Sequence, residues 1–425
     1  MKVLILGNGA REHALAWAFE RSKRNAGLFC LPGNAGTEEL AQNLPGDPAD
    51  PATVVEAYRA SGARLVVVGP EAPLAAGVAD ALREAGAAVF GPGAKAAALE
   101  SNKSFARAFS SRAGIPTATT ARFQAYADFD KWLAATRSSL APGAPFAGSL
   151  VLKKSGLAAG KGVFESDDSD ELRRFAKGVL ADDELLVEEF LKGYELSVFA
   201  LSDGDGYVLL PACADHKKAL EGNVGRNTGG MGALCPVPPA DAALMERIDR
   251  EIVEPSFRQM KKEGLGYRGV LFFGVMVCAD GPKLLEYNVR WGDPETQSLL
   301  PLLKDDMCDL FEAAATGVVA GLRPSIREGA AVGVTVAAPG YPGDYPKGIP
   351  VEALPKEGPG RLVFHAATAR NPAGRLLTGG GRCFTVVGLG GDYFEAHARA
   401  LEAAKELRFE GAWFRKDIGK SYYLD

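Results

Sequence analysis

Short apolar runs alternate with alanine-rich stretches through the first hundred residues. The runs are Val3 to Leu6, Leu28 to Leu31, Leu65 to Val68 and Ala88 to Phe90, and each ends in a glycine or proline turn: GNG, PGN, GPE or GPG. Strands separated by helical segments in this way form successive βαβ crossovers, so residues 1 to 101 are predicted to be a small doubly wound unit. Residues 120 to about 190 carry another pattern: a Pro/Gly-rich loop (Ala141 to Gly148), a strand (Leu150 to Lys153), a glycine stretch, and renewed strand at Val163-Phe164. A helix over Asp168 to Leu180 and an apolar strand from Leu185 to Leu191 complete a small α+β unit, set into a larger domain spanning 102 to 325. In that larger domain Tyr194 to Val198 is a strand running back to the main body, Asp241 to Lys262 a helix, and Met307 to Val319 a closing helix. Residues 326 to 425 read as a third, α+β unit. Its strands lie near Ala331 to Ala337, Leu362 to Ala367 and Phe384 to Val387, and a helix runs from about Tyr393 to Leu407. Its expected role is scaffold and site closure.

The chemistry concentrates in one hairpin. Val270 to Cys278 and Lys283 to Asn288 are β-rich runs on either side of Ala279-Asp280-Gly281-Pro282, a turn sequence. Alternate side chains of a strand share a face, so Glu286, Asn288 and Arg290 point the same way if the strand reaches that far. A carboxylate beside an amide oxygen suits Mg²⁺, which prefers oxygen ligands and takes much of its shell from water and nucleotide phosphates. Arg290 adds a fixed cation for an anionic substrate or a phosphoryl group. A polar strand edge carrying Glu and Asn by chance is the competing reading.

Upstream stretches bear on that choice. Gly7-Asn8-Gly9, ahead of Arg11-Glu12-His13, offers backbone amides at a helix start together with an arginine, which suits a phosphate. A sugar phosphate held by Gly9 and Arg11 is favoured over a purely structural turn. It is favoured over a dinucleotide too, because GxGxxE puts Glu12 where the third glycine of that fingerprint belongs. His13 reads as a packing or capping residue. In Ser155 to Gly162 three glycines leave the backbone free to wrap an anion, and Lys153 and Lys161 supply charge. No Ser or Thr follows the Gly-Lys and the chain continues as strand, so this is not a Walker loop; a flexible lid over a triphosphate fits, with a plain hairpin turn as the alternative. Glu188 and Glu189 end a strand that can present a carboxylate to adenine or ribose, or are two surface glutamates. Lys103 opens a helix and is either solvated or part of the site. Asp215-His216-Lys217 and Asn227 to Gly232 are polar loop clusters of the kind that often carry function.

Composition narrows the class. With 425 residues, 47% hydrophobic and 24% charged, 51 glycines and 26 prolines, the chain fits a soluble, loop-rich, multidomain α/β protein. A net charge of -5 gives no electrostatic case for a nucleic-acid partner. The six dispersed cysteines form no CxxC pair and read as reduced thiols of a cytoplasmic protein. Neither a signal-peptide core nor an apolar run of membrane-spanning length is found. His13, His216, His365 and His397 make no local pair, which argues against zinc, and no GxSxG marks a serine nucleophile.

Lysine, glycine lid, acidic strand end and Glu-x-Asn strand, in that order around a small inserted unit, resemble the ATP-grasp superfamily. GNGAREHA, PGNAG, VGPEAPL, GLAAGKGV, EEFL, DHK, NTGGMGA, YNVRWGDPETQ, PGYPGDY and RKDIG are together similar to the phosphoribosylamine-glycine ligase (glycinamide ribonucleotide synthetase) family, from residue 7 to residue 419. The resemblance implies an α/β ATP-grasp fold with an N-terminal doubly wound, Rossmann-like domain, an inserted α+β lid subdomain and a C-terminal α+β domain. It implies that Lys103, Lys153, the Gly156 to Gly162 loop with Gly160 and Lys161, Glu188, Phe190 and Glu195 hold ATP, and that Glu286 and Asn288 bind Mg²⁺ or Mn²⁺. Asn8 and Gly9, with Arg11, would meet 5-phosphoribosylamine. Asp215, Lys217, Arg290, Asp293 and Thr296 match polar positions around the glycine and phosphoryl-transfer site. A cytoplasmic monomer with small-molecule substrates, and with no nucleic-acid or membrane partner, is expected. The chain departs from the family pattern at Lys154 and Ser155, where a small residue and an Asp often precede GLAAGKG, at Arg226, where proline commonly precedes NTGGMG, and at Ala10, where a glycine is common.

The implied reaction joins glycine to 5-phosphoribosylamine with ATP, giving glycinamide ribonucleotide, ADP and phosphate in purine biosynthesis. A carboxylate is a poor acylating agent, so glycine is expected to pass through a glycyl phosphate. Positioning and charge neutralisation suffice for that chemistry. Another ATP-grasp carboxylate-amine ligase of nucleotide synthesis, a non-catalytic ATP-binding scaffold and a dehydrogenase are the alternatives.

Overall fold

The computed structural model describes residues 1–139, 144–158 and 162–423. At the N-terminus β1 (Lys2–Gly7), β2 (Gly27–Pro32), β3 (Gln42–Asn43), β4 (Leu65–Val68) and β5 (Ala88–Phe90) form an all-parallel sheet in the order β3-β2-β1-β4-β5. Val3 and Ile5 enter one core while Leu4 and Leu6 enter another, which is why this run is apolar at every position. The strand order reverses between β1 and β4, so the turns after these two strands border the crevice where such sheets take ligands.

The lid is a four-stranded antiparallel sheet in the order β6-β9-β7-β8, built from β6 (Thr120–Phe123), β7 (Leu150–Lys154), β8 (Val163–Ser166) and β9 (Leu185–Glu189). Phe129, Leu133, Leu152 and Leu172 form its own small core. Its second helix, Ser169–Val179, starts after Asp168, whose side chain accepts the Asp170 and Glu171 N–H groups.

The middle segment supplies β10 (Gly193–Ser202), β11 (Tyr207–Leu209), β12 (Ala214–Asp215), β13 (Lys218–Leu220), β14 (Val224–Asn227), β15 (Gly232–Cys235), β16 (Gly269–Cys278) and β17 (Gly281–Asn288). Of these, β11-β10-β16-β17 make the antiparallel sheet opposite the lid. The hairpin turn is tighter than the sequence suggests: only Ala279 and Asp280 lie outside the strands, and Pro282 pairs opposite Val277. Proline is tolerated there because β17 is an edge strand. A bulge leaves Leu285 unpaired between Leu284 and Glu286. The helix expected over 241–262 forms as Ala242–Ile248 and Glu254–Glu263, joined by a π-helical turn at Asp249–Val253.

The C-terminal sheet does not respect the chain order. It runs β12-β15-β18-β23-β20, so two strands of the middle segment complete a sheet with β18 (Ala330–Ala337), β20 (Arg361–His365) and β23 (Arg382–Gly390). Helix Tyr393–Glu406 packs on it. Two ribbons, β19 (Val351–Ala353) with β24 (Arg408–Phe409) and β21 (Thr368–Arg370) with β22 (Leu376–Thr378), complete the unit. His13 packs where this unit meets the N-terminal one, its Nδ1 accepting the His365 N–H at 2.9 Å. Among the described residues no helix is long and apolar enough to cross a membrane.

Candidate active site

The N-terminal crevice, the lid, β17 and the C-terminal unit enclose one cavity of about 540 Å³. Asn8, Gly9, Arg11, Lys103, Lys153, Gly162, Glu188, Asp215, Lys217, Glu286, Asn288, Arg290 and Asp293 all line it. Gly160 and Lys161 lie outside the described residues. Four other candidates stand beside the wall. The Gly156 carbonyl accepts from Lys103 Nζ at 3.4 Å, Phe190 is exposed beyond the end of β9, and Glu195 pairs with Lys217. Thr296 is fully buried, its hydroxyl donating to the Gly292 carbonyl at 2.6 Å.

One end of the cavity is basic. Lys103 opens helix Lys103–Ala113 because the Asn102 side chain caps it, accepting the Phe105 N–H at 2.8 Å. Lys153 on β7 reaches Glu188 on β9 at 2.8 Å, and Arg107 reaches the same carboxylate at 2.6 Å. Burial works against the charged form of Glu188, but Lys153 and Arg107 outweigh it and hold the carboxyl below its usual range. The Leu285 bulge turns backbone carbonyls toward these cations: Leu285 accepts from Arg107 at 2.8 Å and from Lys153 at 3.4 Å.

Near the C-terminal end of β17, Glu286 lies 3.5 Å from Lys217 Nζ. Burial would raise its carboxyl, yet Lys217, Lys153, Lys103 and Arg290 together pull it down to about 2. The strand stops at Asn288, but Arg290 folds back so that its Nη2 donates to Asn288 Oδ1 at 2.9 Å. The same nitrogen donates to Glu100 Oε1 at 2.7 Å, and Glu71 lies 3.6 Å from the Arg290 Nε.

The turn after β1 differs from expectation. The Gly9 N–H donates to Glu12 Oε2 at 2.6 Å, and Arg11 Nε donates to Glu12 Oε1 at 2.6 Å. A Cβ on Gly69 would come within 2.1 Å of Glu12 Oε1, so glycine is needed there for the carboxylate to lie against the backbone. The anion at this helix start is thus an internal side chain, and a phosphate placed at Gly9 and Arg11 would meet the Glu12 carboxylate. The dinucleotide fingerprint fails for the same reason. Arg11 instead reaches the Trp291 carbonyl at 3.1 Å.

The opposite end mixes acids with one cation from the C-terminal unit. Arg382 Nη1 donates to the Gly229 carbonyl at 2.6 Å and the Asp293 carbonyl at 2.9 Å, while its Nη2 reaches Asp293 Oδ2 at 3.2 Å. Burial opposes ionisation of Asp293, but Arg382 and Arg11 outweigh it and lower its carboxyl. Asp215 behaves oppositely: burial and then Glu295 push it well above the usual range, and its Oδ1 has no hydrogen-bond partner among the described residues. Tyr341 accepts the Gly229 N–H at 3.0 Å. The C-terminal unit therefore contributes site residues as well as scaffold.

Glu12, Glu71, Glu100, Arg107, Glu295, Tyr341 and Arg382 line the cavity without having been singled out for a site role. Tyr341 lies within PGYPGDY and Glu100 three residues before Lys103, whereas nothing local marks Arg382. Of the departures, Lys154 pairs with Asp182 at 3.1 Å, Ser155 is buried beside Asn102, and Arg226 is exposed on β14. Among the described residues no cluster of three or more His, Cys, Asp or Glu could hold a metal by itself. The wall is suited to neutralising and positioning anions rather than to attack by a protein nucleophile.

Models of the phosphoribosylglycinamide synthetase N domain, ATP-grasp (A) domain and C domain match residues 1–100, 101–296 and 331–421. Phosphoribosylamine-glycine ligase of Chlorobaculum tepidum is 42% identical over 431 residues, covering 99% of both chains. That of Streptomyces coelicolor is 42% identical over 423 residues, covering 98% of both. A crystal structure of phosphoribosylamine-glycine ligase from Thermotoga maritima superposes with a TM-score of 0.82 at 33% identity, covering 98% of this chain and 100% of that one. The crystal structure of a biotin carboxylase–beta-gamma-ATP complex from Campylobacter jejuni, at 16% identity, TM-score 0.73 and coverage of 99% and 94%, shares the fold. With three family models in register along its length and full-length relatives above 40% identity, the chain belongs to the phosphoribosylglycinamide synthetase family.

Proposed function

We infer that this cavity carries out the ATP-dependent ligation of glycine to 5-phosphoribosylamine in purine biosynthesis, giving glycinamide ribonucleotide, ADP and phosphate. The observation that carries it is the convergence of Lys103, Lys153, Glu188, Glu286, Asn288 and Arg290 with the Asn8 to Arg11 turn on one cavity. The residues of β17 fit Mg²⁺ or Mn²⁺. Glu286 is held ionised, and Asn288 Oδ1 keeps a second lone pair beyond its bond to Arg290. Two oxygens, with no cluster of three or more His, Cys, Asp or Glu among the described residues, suit a hard ion whose shell is completed by water and phosphates. Bound there, the ion would neutralise phosphate charge.

In this reading Lys103 and Lys153 face the nucleotide phosphates, while Glu188 holds Lys153 and Arg107 in place. A glycine carboxylate oxygen attacks the γ-phosphorus, the bond to the β-phosphate oxygen breaks, and ADP leaves. The amine of phosphoribosylamine then attacks the carbonyl carbon of the glycyl phosphate, and phosphate departs as the nitrogen loses a proton. Arg290, anchored on Glu100, presents fixed positive charge where the carboxylate becomes an acyl phosphate. Asp293 and Arg382, with the Gly229-Gly230 loop, border the acceptor side. A cytoplasmic location belongs to the same proposal, which six cysteines standing as free thiols fit, and so does a monomeric state. ADP release by the purified protein, with glycine or phosphoribosylamine omitted in turn, is the test. Product matching ADP one to one only with both present is expected, and ADP release indifferent to both would overturn the substrates.

A further inference from the structure

We propose that Glu100, from the N-terminal unit, is a positioning residue for the divalent-metal site: it clamps Arg290 and, through it, orients the Asn288 amide so that oxygen rather than nitrogen serves the metal. The inference rests on the reading of Glu286 and Asn288 as metal ligands.

The geometry is a two-point clamp from the last turn of helix Ala94–Ser101. Glu100 Oε2 accepts the Val289 N–H at 2.8 Å and Oε1 accepts from Arg290 Nη2 at 2.7 Å, so one buried carboxylate holds two consecutive residues beyond the end of β17. The second proton of Arg290 Nη2 goes to Asn288 Oδ1 at 2.9 Å. An amide can rotate to exchange its oxygen and nitrogen, but a guanidinium only donates. Arg290 therefore fixes which end of Asn288 faces it. The Asn288 nitrogen is buried with no hydrogen-bond partner among the described residues, so the amide's own surroundings give little reason for this orientation. Arg290 has a competing acid. Glu71 stands 3.6 Å from its Nε, beyond hydrogen-bonding distance. Without the Glu100 carboxylate, Glu71 draws the guanidinium away from Asn288, and the freed amide can offer a cation its N–H₂ group.

The test is Mn²⁺ binding in the presence of ADP without glycine or amine, read from the electron paramagnetic resonance signal of free Mn²⁺. It compares the unsubstituted protein with Glu100→Gln, Glu100→Asp and Glu286→Gln. Glutamine can still accept the Val289 N–H on its oxygen, but where the second carboxylate oxygen stood it then sets an N–H₂ donor against Arg290. Glu100→Gln should weaken Mn²⁺ binding by about 10- to 100-fold, the usual effect of losing a partner that orients a ligand. ADP affinity in EDTA should be unchanged, and Glu100→Asp, which keeps the charge, should recover part of the loss. Unchanged Mn²⁺ binding in Glu100→Gln, with loss in Glu286→Gln, overturns the role of Glu100. Equal loss of Mn²⁺-ADP and metal-free ADP affinity in Glu100→Gln and Glu100→Asp also overturns it, because that pattern is general disruption. If Glu286→Gln leaves Mn²⁺ binding intact, the metal-site reading itself fails.

Discussion

Lys153 Nζ sits 2.8 Å from Glu188 Oε2 between neighbouring antiparallel strands of the lid sheet. With Arg107 on the other carboxylate oxygen, one buried acid serves two nearly buried cations. Removing the acid leaves both uncompensated, which typically costs about 3–5 kcal/mol. Glu188→Ala should therefore lower the unfolding free energy measured by urea titration by an amount in that range, and raise the KM for ATP as Lys153 loses its anchor. A stability change below about 1 kcal/mol would show the pair to be dispensable.

Arg290 serves Glu100, Asn288 and the Trp291 carbonyl at once. Lysine is a point charge and cannot hold that fork. Arg290→Lys should cut kcat about tenfold or more, equivalent to the loss of one or two charge-assisted bonds, while ADP affinity measured by calorimetry without metal stays near that of the unsubstituted protein. Parallel loss of both would place Arg290 in nucleotide binding instead.

Arg382 joins the C-terminal unit to Asp293 and the Gly229-Gly230 loop. Arg382→Ala leaves Asp293 without its main counter-charge and the loop without its anchor. The expected result is a fall of about tenfold or more in kcat/KM for the acceptor substrates, with metal-free ADP affinity preserved. Steady-state kinetics with each substrate varied in turn decides it. An effect confined to ATP would move Arg382 to the other end of the cavity.

Histidines at the junction of the N- and C-terminal units should set the acid limb of stability. Burial, and then His365, lowers His13 from 6.5 to about 3, and burial with Arg370 lowers His365 to about 4. Both folded values lie below the free value, so the unfolded chain takes up protons first on acidification. Stability should be flat above about pH 6.5 and fall progressively as pH drops toward 4 and then 3. His13→Asn, which keeps an acceptor for the His365 N–H, should flatten part of that fall. A urea-midpoint series from pH 8 to pH 4 measures it, and an unchanged slope in the variant would mean that His13 contributes nothing to the acid limb.

Much of the frame was legible in the sequence because it is set locally. Continuous apolar runs ending in Gly/Pro turns gave the parallel strands, and strand alternation put Glu286 and Asn288 on one face. The same patterns gave the inserted α+β unit and its glycine lid, and family likeness added the nucleotide-binding roles of Lys103 and Lys153. Lys103 and Lys153 do line the cavity, but Thr296 is turned into the interior and Phe190 out to solvent.

What the chain by itself determined is therefore the set of elements, their order and the oxygen pair on β17, since periodicity and turn propensity act over a few residues. Only the tertiary structure decided that Glu12 fills its own helix start and that two middle strands join the C-terminal sheet. It alone brought Arg382 to Asp293 across 89 residues and Glu100 to Arg290 across 190. Such contacts depend on how separate elements pack, and an ion pair between distant positions leaves no periodic mark at either end.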